Sequence, residues 1–172
     1  MARPKNKKGT VVPFKQKFDY NFEGFISKIR IDAKTDIPEI IYSNNSEKSD
    51  KEVVLKGRAK PLDSFLQAMQ NLAKGFCEIL EIQDKEENTL ITTVNFSEKG
   101  GVIISGQVSL DNGVPQPLCI NTPHIMIEAE KGYTIPTYAI EQLDELKNQA
   151  ILYAQGETAE KQGELFDKAE VF

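Results

Sequence analysis

Two β-rich runs, TLITTVNF over 89–96 and VIISGQVSLD over 102–111, flank the Gly-containing turn SEKGG. The arrangement reads as an antiparallel hairpin, and the rest of the chain must fit around a sheet of that kind. Other stretches read as strands too: FDYNFEGFISKIRID, IPEIIYS, VVLKGRAK and LCINTPHIMIEAE, the last interrupted or bulged at Pro123, whose missing amide proton suits a sheet edge. FDYNFEGFISKIRID is one long strand or two short ones about Gly24. Continuous pairing puts Phe18, Tyr20, Phe22, Ile26, Lys28 and Arg30 on one face. A bulge at Gly24 instead sends the aromatics with Phe25, Ile29 and Ile31 to the core and leaves Lys28 and Arg30 outside.

Two helices are expected between and after these strands. The first opens at Pro61, a favoured first helical position, and carries Leu62, Phe65, Leu66, Met69, Leu72, Ala73 and Phe76 at the i, i+3, i+4, i+7 spacing. Gly75 is its expected end, with FCEILEI extended beyond it and QDKEEN a charged turn. The second runs from Pro136 to about Gln155 on Ala139, Leu143, Leu146, Ala150 and Tyr153, with Gly156 as its stop. Strands, helix, meander, helix is an α+β order, an antiparallel β-meander with two main helices, and not a string of βαβ units. No internal repeat is visible.

The 172 residues suffice for one domain with its own core. The predicted organisation is a basic N-terminal arm over 1–17, a single α+β domain over 18–155 and an acidic C-terminal tail over 156–172. No apolar run approaches the roughly 20 residues that span a bilayer, and MARPKNKKGTVVPFKQK lacks the apolar stretch of a secretory signal, so a cytoplasmic location is expected. Cys77 and Cys119, each in an apolar run, read as core hydrophobes rather than a disulfide. With His124 the sole histidine, the Cys/His supply is thin for zinc, and no metal or other cofactor is expected.

No P-loop, G-x-G-x-x-G, G-x-S-x-G or H-E-x-x-H pattern occurs, and the acidic pairs Glu86–Glu87 and Asp144–Glu145 read as solvated charge. A non-enzymatic protein is expected. The charge is uneven: residues 1–17 carry Arg3, Lys5, Lys7, Lys8, Lys15 and Lys17 and no acid, whereas 18–155 carry 13 basic against 21 acidic residues. Such a body is a poor general polyanion binder, so any nucleic-acid contact needs the arm or a local patch. One patch is legible. If their strands are neighbours, Lys28, Arg30, Lys56, Arg58 and Lys60 form a cationic stripe beside Tyr20 and Phe22, offering cations to phosphates and rings to bases. The competing reading is the solvent side of a half-buried sheet, with the aromatics in the core.

The tail contains QGELF, Gln162 to Phe166. The segment resembles the bacterial sliding-clamp-binding motif, a glutamine followed by a Leu-Phe pair; the resemblance implies that Gln162, Leu165 and Phe166 are anchors, and Gly163 departs from the leucine the family often has. The last residues, DKAEVF, loosely resemble the acidic tip of bacterial single-stranded-DNA-binding proteins, which implies a partner-docking role for Phe172, although the aspartate cluster and proline of those tips are missing. The other reading is that Leu165, Phe166, Val171 and Phe172 fold back on the domain or on a second subunit. The expected function is a non-enzymatic accessory protein of DNA replication or recombination, of the kind a phage encodes, binding single-stranded DNA and docking a replication partner such as the sliding clamp. The alternative is an acidic protein-interaction module or inhibitor that binds such a partner without nucleic acid.

Overall fold

In a computed structural model, which describes residues 24–43, 52–127, 133 and 135–161, alternating apolar positions build one antiparallel sheet. Its strands are β1 Phe25–Ile31, β2 Pro38–Ser43, β3 Glu52–Lys56, β4 Thr89–Phe96, β5 Gly101–Val108, β6 Leu118–Asn121 and β7 Ile125–Met126. The spatial order is β3-β2-β1-β4-β5-β6, and β7 also pairs with β5. The helices are α1 Asp63–Gln70, α2 Ala73–Ile79 and α3 Thr137–Ala154, with a 3₁₀ turn over Gln83–Asn88. This is the α+β architecture with an antiparallel meander that the sequence pattern implies. The arm over 1–17, Tyr20 and Phe22, the loop from Asn44, and Gln162, Leu165, Phe166 and Phe172 lie outside the described residues.

The core forms where one face of the sheet meets the helices. Ile29, Ile40, Ile91, Val94 and Ile104 point inward from the strands and Phe65, Met69, Leu72, Phe76, Leu143, Leu146 and Tyr153 meet them, all essentially fully buried. Each such side chain contributes about 1.5–3 kcal/mol relative to an exposed one. α3 packs chiefly on α1, where Phe65 and Tyr153 meet edge to face at 6.0 Å. At the β6–β7 break Thr122 takes over the ladder: its amide donates to Ile104 O at 2.8 Å, and its hydroxyl accepts from Ile104 N at 3.0 Å. Pro123 therefore stands at a sheet edge, as its missing N–H requires.

Three sequence expectations need correction. Gly75 does not end the first helix, and FCEILEI is not extended: the helix breaks at Asn71 and Leu72, and α2 then carries the chain through Ile79. Phe76 continues the apolar face below Leu72, and the bare Cα of Gly75 lets α3 come close, since an added Cβ would sit 3.2 Å from Ala139 Cβ. The real stop is Glu81, at φ 57°. Second, β3 ends at Lys56, so Arg58 and Lys60 are not on a strand. β2 begins at Pro38, whose carbonyl accepts from Gly57 N at 2.9 Å and closes the ladder. Beyond it Tyr153 donates to Ala59 O at 2.6 Å, Ala159 N to Lys60 O at 3.1 Å, and Pro61 bridges Thr158.

The third correction concerns repetition. Two three-stranded meanders, β1–β2–β3 followed by α1 and α2 and β4–β5–β6 followed by the short β7 and α3, meet at the β1–β4 ladder Lys28↔Asn95, Ile29↔Val94, Arg30↔Thr93. A two-fold axis through the Ile29–Val94 pair maps each outer pair of that ladder onto the other. It also maps the irregularities. β1 slips its register against β2 between Ile26 and Lys28, and β4 slips against β5 between Ile91 and Thr93. The extra residue is a hydroxyl in both: Ser27 Oγ donates to Ile41 O at 3.2 Å, and Thr92 Oγ1 to Ser105 O at 3.4 Å. The bulge at Ser27 puts Ile26, Ile29 and Ile31 inside and Lys28 and Arg30 outside, and the stretch before Gly24 lies outside the described residues.

Gly106 sits on the buried face of β5, where an added Cβ would meet the Phe76 ring at 3.1 Å and Leu90 O at 3.2 Å. Gly106→Val is expected to cost about 1–3 kcal/mol through overpacking, whereas Ser105→Val, on the opposite face, should change stability by less than about 0.5 kcal/mol. Urea unfolding midpoints of the two variants at an unchanged m-value check this.

Candidate nucleic-acid interface

Because the helices take one face of the sheet, the side chains of alternate parity line the other. Cross-strand registers set them in rows. One runs Lys56, Glu39, Arg30, Thr93, Ser105, Asn121; the next runs Val54, Ile41, Lys28, Asn95, Ile103. Lys28, Arg30 and Lys56 from the predicted stripe thus share this face, but β1 and β3 are not neighbours: β2 lies between them and inserts Glu39 into the cationic row. Glu39 Oε1 is 4.0 Å from Lys28 Nζ, with both side chains over a quarter exposed, so the pair contributes at most about 1 kcal/mol.

Arg58 and Lys60 do not join the row. They lie in the connection that Tyr153 and Ala159 hold toward the end of α3, and Lys60 Nζ is 3.5 Å from Asp36 Oδ2. Phe25, opposite Ser43, is half-buried against the margin of the core. Sequence reasoning missed the other half of the face, where Thr93, Asn95, Ser105, Gln107 and Asn121 offer hydroxyls and amides. No carboxylate occurs on β4, β5 or β6. The signal was present in the alternation of TLITTVNF and VIISGQV, read there only as a hairpin.

Two buried or half-buried groups elsewhere hold their protons tightly. Desolvation pushes the Cys77 thiol up from its usual range, and Thr89 Oγ1 lies 3.4 Å from its sulfur. Tyr138, donating to Glu78 across the α2–α3 contact with Lys74 Nζ 4.9 Å above its ring, is also pushed up, first by desolvation and then by that carboxylate. Both shifts favour the protonated form, the wrong direction for a nucleophile or a general base. His124 is exposed, its ring against Gly101, and among the described residues no three His, Cys, Asp or Glu side chains gather to hold a metal. No helix among the described residues is long and apolar enough to cross a membrane.

Desolvation raises Tyr42 and Tyr153 as well as Tyr138. An unfolded tyrosine ionises near pH 10, while these three hold their protons higher in the fold. Stability should therefore be unaffected by them below about pH 10 and fall as pH rises through their folded values. Urea midpoints measured from pH 8 to 11 should drop above pH 10, less steeply for Tyr138→Phe. Cys77 is buried as expected, but Cys119 is exposed on edge strand β6 and is not a core residue, so native-state thiol titration should find Cys119 reacting at once and Cys77 only on unfolding. No protein-family model, curated protein or solved structure matches the chain.

Proposed function

We propose that the uncovered face of the sheet binds single-stranded DNA, and that the protein is a non-enzymatic, cytoplasmic accessory factor of DNA replication or recombination. The observation that carries this reading is the composition of the face. Lys28, Arg30 and Lys56 project from it, and the β4–β5–β6 half adds neutral hydrogen-bonding groups with no carboxylate, although the chain as a whole has net charge −5. Phosphates would take the cations, and the hydroxyl and amide rows would contact sugar and base edges without strong sequence preference. Arg58 and Lys60 are left out, and Tyr20 and Phe22 stay candidate stacking rings. Gln162, Leu165, Phe166 and Phe172 would dock a replication partner.

A second reading, a protein-interaction module without nucleic-acid affinity, is favoured by Glu39, whose carboxylate interrupts the cationic row. Anisotropy of a labelled single-stranded oligonucleotide separates the two. Binding should weaken with salt at a log–log slope of roughly −0.7 per phosphate contact. Arg30→Gln should reduce that slope by about one contact and Glu39→Gln should tighten binding severalfold. Absence of binding at low salt rejects the nucleic-acid reading. Equal sliding-clamp capture by the intact chain and by the Leu165→Ala, Phe166→Ala double variant would reject the tail's role.

A further inference from the structure

The two edges of the sheet are built differently. β6 is bracketed by Pro117 before Leu118 and Pro123 after its end, and proline at an edge withholds the donor that another strand would need. β3 has no such guard. Among the described residues it pairs only with β2, and its sequence is Glu52-Val53-Val54-Leu55-Lys56.

The backbone of β3 is aimed outward at defined places. Gly57 N donates to Pro38 O, which makes Gly57 and Pro38 a hydrogen-bonded position of the β2–β3 ladder. Such positions alternate in antiparallel pairs, so Leu55 and Val53 direct their amide and carbonyl groups toward β2. Glu52, Val54 and Lys56 direct theirs to the free edge. The same three residues place their side chains on the uncovered face, where Val54 is 48% exposed and both charged neighbours are exposed.

We infer that β3 is a dimerisation edge and that its partner is β3 of a second copy of this chain, paired antiparallel about a two-fold axis through Val54. In that register Val54 exchanges both backbone hydrogen bonds with its counterpart, and Glu52 exchanges both with Lys56 of the other copy. Every outward-facing amide and carbonyl of the strand is then satisfied. The side chains agree: Val54 meets Val54, and Glu52 stands opposite Lys56 twice, once on each side of the axis. Cross-strand pairs of opposite charge are favourable and like charges directly opposite are unfavourable. The strand reads as its own complement.

Sedimentation equilibrium of the full chain tests this. The expected result is a monomer–dimer equilibrium in the micromolar range. Glu52→Lys sets Lys against Lys56 and Lys56→Glu sets Glu against Glu52, and each exchange should weaken the dimer roughly tenfold or more. A mixture of the two variants restores both complementary pairs, so it should form a heterodimer of near wild-type affinity, which also shows that both variants are folded. A wild-type chain that stays monomeric up to about 1 mM overturns the inference. So does a dimer that neither exchange weakens, or two weakened variants that fail to associate when mixed.

Discussion

The contact on which the rest of the structure depends is the short ladder between β1 and β4. It is three residue pairs long, and its middle pair, Ile29 and Val94, is fully buried. The described strands on one side belong to the first meander and those on the other to the second. Because the axis relating the halves runs perpendicular to the sheet, it maps each face of the sheet onto itself. The crossover helices of the first half and the terminal helix of the second are therefore sent to the same side. One face acquires a core, and among the described residues no helix is sent to its opposite. The candidate interface is thus a consequence of topology before it is a matter of composition.

This also explains which parts of the fold were legible in the sequence. Local periodicity placed the β4–β5 hairpin, α1 and α3, because each is set by side chains that meet within one element or across one turn; it opened α1 too early at Pro61, which bridges Thr158 while Leu62 caps a helix that starts at Asp63. Gly75 misled because glycine at a helix end and glycine under a neighbouring helix leave the same trace, and only the position of Ala139 tells them apart. The repeat was hidden because it survives as backbone geometry. Ser27 and Thr92 are equivalent hydroxyl bulges, yet Lys28 corresponds to Thr93 and Arg30 to Asn95, so the halves share shape while their outward chemistry has diverged. Strand order, which decides that Glu39 falls between Arg30 and Lys56, has no local signature.

That divergence matters for the face. Val54 and Ile41 on the first half and Ile103 on the second are apolar, but the outward charges fall on the first half and neutral hydrogen-bonding groups predominate on the second. A polyanion laid across the ladder would meet cations at one end and hydroxyls and amides at the other, an orientation a symmetric surface could not impose. Glu39 is no strong obstacle. Its 4.0 Å contact with Lys28 is partly solvent-exposed and worth at most about 1 kcal/mol, so a phosphate can compete for the same lysine.

The halves differ most at their outer edges, and this bears on assembly. An exposed strand edge is a template for further pairing, and a sheet open at both edges could extend without limit. Here the two outer strands are equivalent by the internal symmetry, but prolines bracket only β6. Pairing through β3 about a two-fold axis consumes the open edge of both copies and leaves a proline-guarded edge at each end. Such an isologous contact closes at two. The same axis would bring the cationic halves of both open faces together at the centre of the joined sheet, with the neutral halves outermost.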